Sequence, residues 1–369
     1  MSESEPSASA SRAAYILYRP KESEFRIAGI SLLDRQLITL HRAGLGPITV
    51  ITPDSVPSPP RAQSLSIPIR IASHLPNERH PCVVVDGNVF FEQNDLVALG
   101  DNTDGLTTAD GSRLSALFLE SPGEWTAQSE ASGIPSKIKT RAKNLKLEAE
   151  ASDIGSKLLK GTTSASDGIV DRFFNRPVSR QITRKLLETN ASPNLISLVA
   201  IAIGLVAGLL LAIPRQEFAV FGALLFQFSA ILDCSDGDIA RLHFKESLLG
   251  KWLDIVGDQI VHIAIFVGIG FGLINATPSL AITLLTISAV AGAILAFATF
   301  LWASKRSEND SRINRYLQAT ANRDFSVVVL ILACMGRLDI FAWLVGIGIH
   351  FYWISLLLIS IKSSNQART

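Results

Sequence analysis

Between Leu232 and Asp258 the chain reads LDCSDGDIARLHFKESLLGKWLDIVGD. Asp233 and Asp236 are three residues apart and Asp254 and Asp258 four apart, so on helices each pair shares one face. Two such faces opposed across a tight helical hairpin would gather four carboxylates. The flanking sequence is strongly apolar, and an Asp at the centre of a membrane helix costs about 2.5–3.5 kcal/mol on insertion scales. Four acids are tolerable there only around a compensating positive charge in a wet cavity. Oxygen-only ligands favour Mg2+ or Mn2+ over zinc, and two divalent ions a few ångströms apart suit phosphoryl transfer. Gly237, Ala240 and Gly250 remove bulk beside the acids, so that a flat nucleotide could approach the helix backbone. Arg241 can fork onto a phosphate. A solvated loop whose acids simply face water would account for two carboxylates, but not for four at this spacing beside small residues and an Arg.

The elements that must position these residues are membrane helices. The chain has 369 residues, enough for two domains, and 18% of them are charged, against about 25% in a typical soluble chain. No Asp, Glu, Lys or Arg occurs from Gln259 to Ser304, which rules out a water-soluble second half. Hydrophobic spans fall near Leu195–Pro214, Phe218–Leu232, Leu253–Ile274, Leu280–Ala303, Phe325–Met335 and Ile340–Ile361. At about 20 residues per crossing they give six transmembrane helices. The second and fifth are short as apolar runs, so their helices should continue into polar residues; alternatively the fifth and sixth are partly re-entrant. Lys305, Arg306, Arg312, Arg315 and Arg323 lie in one loop and Arg241, Lys245 and Lys251 in another, against only Arg215 and Arg337 on the opposite face. The positive-inside rule then makes both termini, the upstream domain and the acidic site cytoplasmic.

Upstream, residues 1–12 are Ser-rich and acidic and read as a disordered tail, not a signal peptide. From Ala13 to residue 135 the pattern is that of a soluble α/β domain. AAYILY, PITVITP, PIRIAS and CVVVDG look like buried strands, and SLLDRQLITLHRAG has helical apolar spacing that ends at Gly44. This alternation favours a mostly parallel, doubly wound sheet. A polar, Lys-rich helix around Ser136–Glu150 and a linker to residue 166 follow, then a juxtamembrane stretch over 167–191, where Arg172, Arg176, Arg180 and Arg184 recur every four residues. On an amphipathic helix, split near Pro177, they would form a basic stripe for an acceptor phosphate or lipid headgroups, or would simply snorkel at the interface. The net charge of +1 gives no reason to expect nucleic acid. Cys82, Cys234 and Cys334 are too far apart for a disulfide framework or zinc site.

The string Asp233-x2-Asp236-Gly237-x2-Ala240-Arg241-x8-Gly250-x3-Asp254-x3-Asp258 resembles the signature of the CDP-alcohol phosphotransferase family at all eight fixed positions and in its gap lengths. SPNLIS, Ser192–Ser197, is similar to the segment that opens the family's first membrane helix. The resemblance implies a six-helix fold, a homodimer and a site open to the cytoplasm. It implies that Asp233, Asp236 and Asp254 hold the metals, and that Asp258 is the general base and also touches one metal. Gly237, Ala240, Arg241 and Gly250 would line the CDP site. The implied reaction transfers a substituted phosphate from a CDP-alcohol (CDP-diacylglycerol or CDP-inositol type) to a hydroxyl of an alcohol or sugar-phosphate acceptor, with release of CMP, in a setting of membrane lipids.

The upstream domain resembles a Rossmann-like sugar-phosphate nucleotidyltransferase core, as in fused enzymes that make CDP-inositol and then transfer inositol phosphate to another inositol phosphate. RIAGISLLDRQLITLHRAGLGPITVIT and VVVDGNVFF carry that likeness, the latter ending in Asp86, a metal-binding acid in such domains. The Gly-rich loop that should follow the first strand is replaced by ILYRPKESEFRIAG, which cannot wrap a triphosphate in the same way. The domain is therefore expected to be degenerate, with Arg19, Lys21 and Asp86 as the possible remnant of its site. The alternative is a bifunctional enzyme that makes its own CDP-alcohol. Outside this class, a transporter or a non-catalytic scaffold would also place acids in a membrane.

Overall fold

The computed structural model describes residues 12–77, 79–99, 106–107, 116–119, 121–122, 125, 134–135, 142–162, 168, 171–189, 191–307, 311–320 and 325–366. The chain forms two compact units, Met1–Leu158 and Leu159–Thr369. The expected tail and most of the expected linker lie outside the described residues.

The first unit is built on a five-stranded sheet of β1 (Ala13–Leu17), β2 (Ile48–Ile51), β3 (Ile69–Ala72), β4 (Cys82–Asp86) and β5 (Ala116–Leu119), in the order β3-β2-β1-β4-β5. The first four are mutually parallel, with Leu17 paired to Ile51 on one side and Asp86 on the other; β5 runs antiparallel to β4. Every residue of β4 is buried, which is why CVVVD is continuous and not alternating. Helix α1 (Leu32–Arg42) starts at Ser31, whose hydroxyl accepts from the Asp34 N–H, an N-cap pairing. It buries Leu33, Leu37, Ile38 and Leu40 and gives way to Gly44 at φ +77.

The expected helix at 136–150 is shifted. Lys143–Asn144 is a short strand antiparallel to Val89–Phe90, residues 136–141 lie outside the described set, and the helix, α2, runs over Glu148–Gly161. Ala142 and Leu145 are buried one on each side of the short strand, and helical spacing of apolar residues begins only with Ala151, Ile154 and Leu158. Those side chains are buried, so the compact unit reaches Leu158, past the boundary expected at 135.

In the second unit, a π-helical turn over Asp171–Asn175 runs into α3 (Arg176–Leu187), with Pro177 in its first turn. Then come α4 (Pro193–Leu211), α5 (Gln216–Leu242), α6 (Leu248–Ala276), α7 (Leu280–Ser307), α8 (Ser311–Thr320), α9 (Phe325–Cys334) and α10 (Leu338–Gln366). Ala207, Leu211, Phe226, Ile265, Val329 and Phe341 form the shared core. Helices α4 and α6 approach so closely that a Cβ on Gly268 would collide with the carbonyl oxygen of Gly208.

Among the described residues five helices, α4, α5, α6, α7 and α10, are long and apolar enough to cross a membrane, where six crossings are expected from sequence. The difference is α9: ten residues rise about 15 Å, half of a hydrocarbon core about 30 Å thick. Its apolar run stops at Gly336, where φ is +65. The other short run does extend as expected, because α5 continues through Asp233 and Asp236 to Leu242.

Candidate active site

The end of α5 and the start of α6 form the expected hairpin. The chain leaves α5 at His243, turns through Phe244 at φ 54, and enters α6 at Ser247, whose hydroxyl accepts from the Gly250 N–H at 3.0 Å. Asp233, Asp236 and Asp254 each offer a carboxylate oxygen within 4.8 Å of the others. Asp258 stands one turn further along α6, outside that group. Three acids so close need a compensating cation, and a donor set made of carboxylate oxygens fits a hard divalent ion.

Two further elements, α4 and the π-helical turn, pack on this hairpin. Ser197, on α4, donates its hydroxyl to Asp236 and is itself buried, which gives the SPNLIS segment a physical task. Gly250 packs against Asn194 of the same segment, and a Cβ there would stand 2.9 Å from Asn194 Oδ1, so that side chain would have to move to admit it. Asn175 donates to Asp171 Oδ1 at 2.7 Å and accepts from Gln227, which ties the π-helical turn to α5.

A pocket of about 510 Å³ opens over the three acids. Gly237, Ala240, Arg241 and Gly250 all line it, and so do Lys245, Lys251 and Arg176. Two arginines are organised there by one residue that the motif does not contain. Asp238 is 0% exposed, and its Oδ1 accepts from Arg176 Nη1 at 3.0 Å and from Arg241 Nη2 at 2.8 Å. Its second oxygen is buried without a hydrogen-bond partner among the described residues. The only sequence signal for this was an acid three residues before Arg241 on the same helix; its pairing with Arg176, 62 residues away, had none.

The four arginines of the juxtamembrane stretch separate. Arg176 is buried and reaches the pocket. Arg172 and Arg184 are exposed, and Arg180 donates weakly to the Lys160 carbonyl at 3.5 Å. Phe173 and Phe174 are exposed beside them, at 76% and 51%. A single basic stripe is therefore not what the fold presents.

A second cavity of about 680 Å³ lies between α6, α7, α9 and α10, with Asp254 and Asp258 among its lining residues. His262, one turn beyond Asp258, is packed edge-on to Phe325, with ring centroids 4.9 Å apart. His350 is instead part of a polar chain: Trp353 donates to its Nδ1 at 2.9 Å, and its Nε2 faces Ser288 at 2.9 Å.

In the first unit, Asp86 sits at the carboxyl end of β4, where ligands of parallel sheets bind. Both of its oxygens are taken by Arg19, Nε to Oδ1 and Nη2 to Oδ2, each at 2.7 Å. This hydrogen-bonded fork and its charge hold the Arg19 guanidinium above its usual pKa. The Arg19 N–H donates to Ser23 Oγ, and Ser23 donates to the Gly87 carbonyl. An acid whose charge is already compensated in this way does not fit a metal ion. Lys21 is exposed on the turn beside Glu22.

Among apolar helices, three clustered carboxylates thus lie beneath a pocket lined by basic side chains, a donor set with the chemistry to take a divalent cation and a phosphate. Residues 190–361 match the family model described as CDP-alcohol phosphatidyltransferase. The bifunctional IPC transferase and DIPP synthase of Thermococcus kodakarensis is 31% identical over 119 residues, 32% of this chain and 25% of the relative. Its namesake from Rubrobacter xylanophilus is 30% identical over 159 residues, 43% of this chain and 34% of the relative. The chain thus spans about a third or less of the length of the curated relatives it matches. Among solved structures, the phosphatidylinositol phosphate synthase of Mycobacterium tuberculosis with CDP-DAG bound is 16% identical with a TM-score of 0.35, over 50% of this chain and 91% of that one. The same synthase with manganese and citrate is 18% identical with a TM-score of 0.33, over 52% and 89%.

Proposed function

We propose that the protein is an integral membrane CDP-alcohol phosphotransferase, which moves a substituted phosphate from a CDP-alcohol to an acceptor hydroxyl and releases CMP. The observation that carries this is the convergence of Asp233, Asp236 and Asp254 beneath a pocket lined by Arg176, Arg241, Lys245 and Lys251. Asp233, Asp236 and Asp254 would hold one or two Mg2+ or Mn2+ ions, with Asp258 touching one of them. When bound, such ions neutralise the charge that develops on the diphosphate. Arg241 and Arg176 orient the donor's phosphates from the Asp238 side. Gly237, Ala240 and Gly250 leave room for the cytidine. Asp258 accepts the acceptor's proton as its oxygen bonds to the β-phosphorus, and the bond from that phosphorus to the CMP oxygen breaks.

Under this reading the site and both termini face the cytoplasm, α9 with its neighbouring residues makes the sixth crossing, and the chain works as a homodimer. Arg172, Arg180 and Arg184 hold lipid headgroups at the interface. The first unit is a Rossmann-like nucleotidyltransferase relic, and the Arg19–Asp86 pair favours a relic over a bifunctional enzyme. A transporter is disfavoured because the acids are confined to one hairpin, and a scaffold because the metal-ligand set is intact.

The test is CMP release by the purified full-length chain with Mg2+ or Mn2+, using CDP-diacylglycerol and CDP-inositol as donors. Metal-dependent release that is lost in Asp258→Asn supports the reading; absence of both release and Mn2+ binding sinks it.

A further inference from the structure

The acceptor's chemical class can be read from how the two cavities divide the acids. Asp254 lines both. Of these two, Asp233 and Asp236 line only the cationic pocket and Asp258 only the larger cleft; Asp233 and Asp258 also share a third cavity of about 20 Å³, too small for a substrate. If Asp258 takes the acceptor's proton, the acceptor hydroxyl arrives from the cleft.

That cleft differs in kind from the pocket. Its volume of about 680 Å³ is within the roughly 300–1,000 Å³ of small-molecule sites. Its walls are Phe297, Phe300, Phe325, Phe341 and Leu344, with Phe266 furthest along α6. From Asp254 to Phe266 the helix rises about 18 Å. No Lys or Arg is among its described lining residues. A sugar phosphate placed there would meet Asp254, Asp258, Gln259, His262 and Tyr352 but no lysine or arginine for its charge among the described lining residues, which is unfavourable. A hydrocarbon body gains by the same burial.

We propose that the acceptor is an amphipathic lipid alcohol, with its hydroxyl at Asp258 and its hydrocarbon in the cleft, and that the donor carries a polar alcohol in the cationic pocket. This rests on the phosphotransferase reading. The step balances as before: the lipid O–H gives its proton to Asp258, its oxygen bonds to the β-phosphorus, and CMP departs. A hydrocarbon in the cleft could also belong to a lipid donor, and the experiment separates the two.

The full-length chain in nanodiscs with Mn2+ is given CDP-inositol or CDP-diacylglycerol, each with dioleoylglycerol or inositol 1-phosphate. CMP release is followed, together with labelling by a photoreactive diacylglycerol. Two variants narrow the cleft: Gly348→Phe, where a Cβ meets nothing within 4 Å, and Ala296→Phe as an independent second. Calorimetric binding of CMP with Mn2+ reports whether each variant is folded. The expected result is release with CDP-inositol and dioleoylglycerol at least tenfold above that with inositol 1-phosphate. It should fall tenfold or more in a cleft variant that still binds CMP. Preference for inositol 1-phosphate, or turnover only with CDP-diacylglycerol and a soluble acceptor, overturns the proposal while leaving the phosphotransferase reading intact. If no pair turns over but CMP and Mn2+ bind, the photolabel decides. Labelling of α7 or α10 that the cleft variants lose, and that dioleoylglycerol competes away more effectively than CDP-diacylglycerol, supports the proposal; no such labelling, or stronger competition by CDP-diacylglycerol, overturns it. Loss of CMP and Mn2+ binding in the unaltered protein overturns both.

Discussion

Both units place aspartate towards the end of a regular element, Asp86 as the last residue of β4 and Asp233 and Asp236 in the C-terminal half of α5, and they treat the acid in opposite ways. Asp86 closes β4 and is neutralised by both arms of Arg19. Asp233, Asp236 and Asp254 converge on one another, with Ser197 donating to Asp236 and basic groups lining the pocket above them. Asp238, beside that carboxylate cluster, takes two arginines. An acid's chemistry therefore depends less on its position than on whether its counter-charge comes from the protein or must be brought by a ligand.

The sharpest way to break this contrast is to remove an acid from the cluster. Asp236→Asn or Asp254→Asn is expected to lower CMP release at least about a hundredfold and to weaken Mn2+ binding in calorimetry. If release survives at near-normal rates, the membrane acids are no more functional than Asp86.

Next in size is the acid that organises arginines. Asp238→Ala leaves Arg176 buried without its partner, a loss of about 3–5 kcal/mol when one member of a buried pair is removed. Arg176→Met with Asp238→Leu should recover most of that stability in thermal unfolding, yet still raise the KM for the CDP-alcohol. Equal loss of stability in the single and double variants would reject the pairing.

A smaller effect is expected from the soluble unit. Arg19→Met should change CMP release from a supplied CDP-alcohol less than about twofold, and removing the fork from the buried Asp86 carboxylate should cost about 1–3 kcal/mol of stability. A large fall in CMP release would mean that the first unit serves the membrane reaction after all.

Smallest is the Lys143–Glu150 pair at 2.7 Å. Hydrogen bonding from Lys143, then from the Lys146 N–H, holds the Glu150 carboxyl below its ordinary value of 4.5. A depressed acid stabilises the fold above its unfolded pKa, and that stability is lost as pH falls through the folded one. The small difference in melting between the unaltered protein and Glu150→Gln should therefore be present at pH 7 and vanish in acid below about pH 4.5; a difference that persists there would mean the pair is not its source.

Much of this architecture is local and therefore legible. Residues three or four apart on a helix share a face whatever surrounds them, so DCSD and DIVGD announce their carboxylate pairs. CVVVD can only be a strand buried on both faces, and the stretch from Gln259 to Ser304 must avoid water. The tail of α5 into polar residues is legible for the same reason. What misled was also local: the Lys-rich stretch at 136–150 lacks apolar spacing, and the run at Phe325 has the composition of a crossing but not the length.

Sequence by itself determined which residues could bind a divalent cation and a nucleotide, and that they lie at a membrane. Tertiary structure decided which of them meet. Arg176 finds Asp238 across 62 residues and Arg19 finds Asp86 across 67, and no spacing rule reaches that far. It also left Asp258 outside the tight group of three and placed it, with Asp254, on the cleft, because one further helical turn carries a side chain from the hairpin end of α6 to the space between α6, α7, α9 and α10.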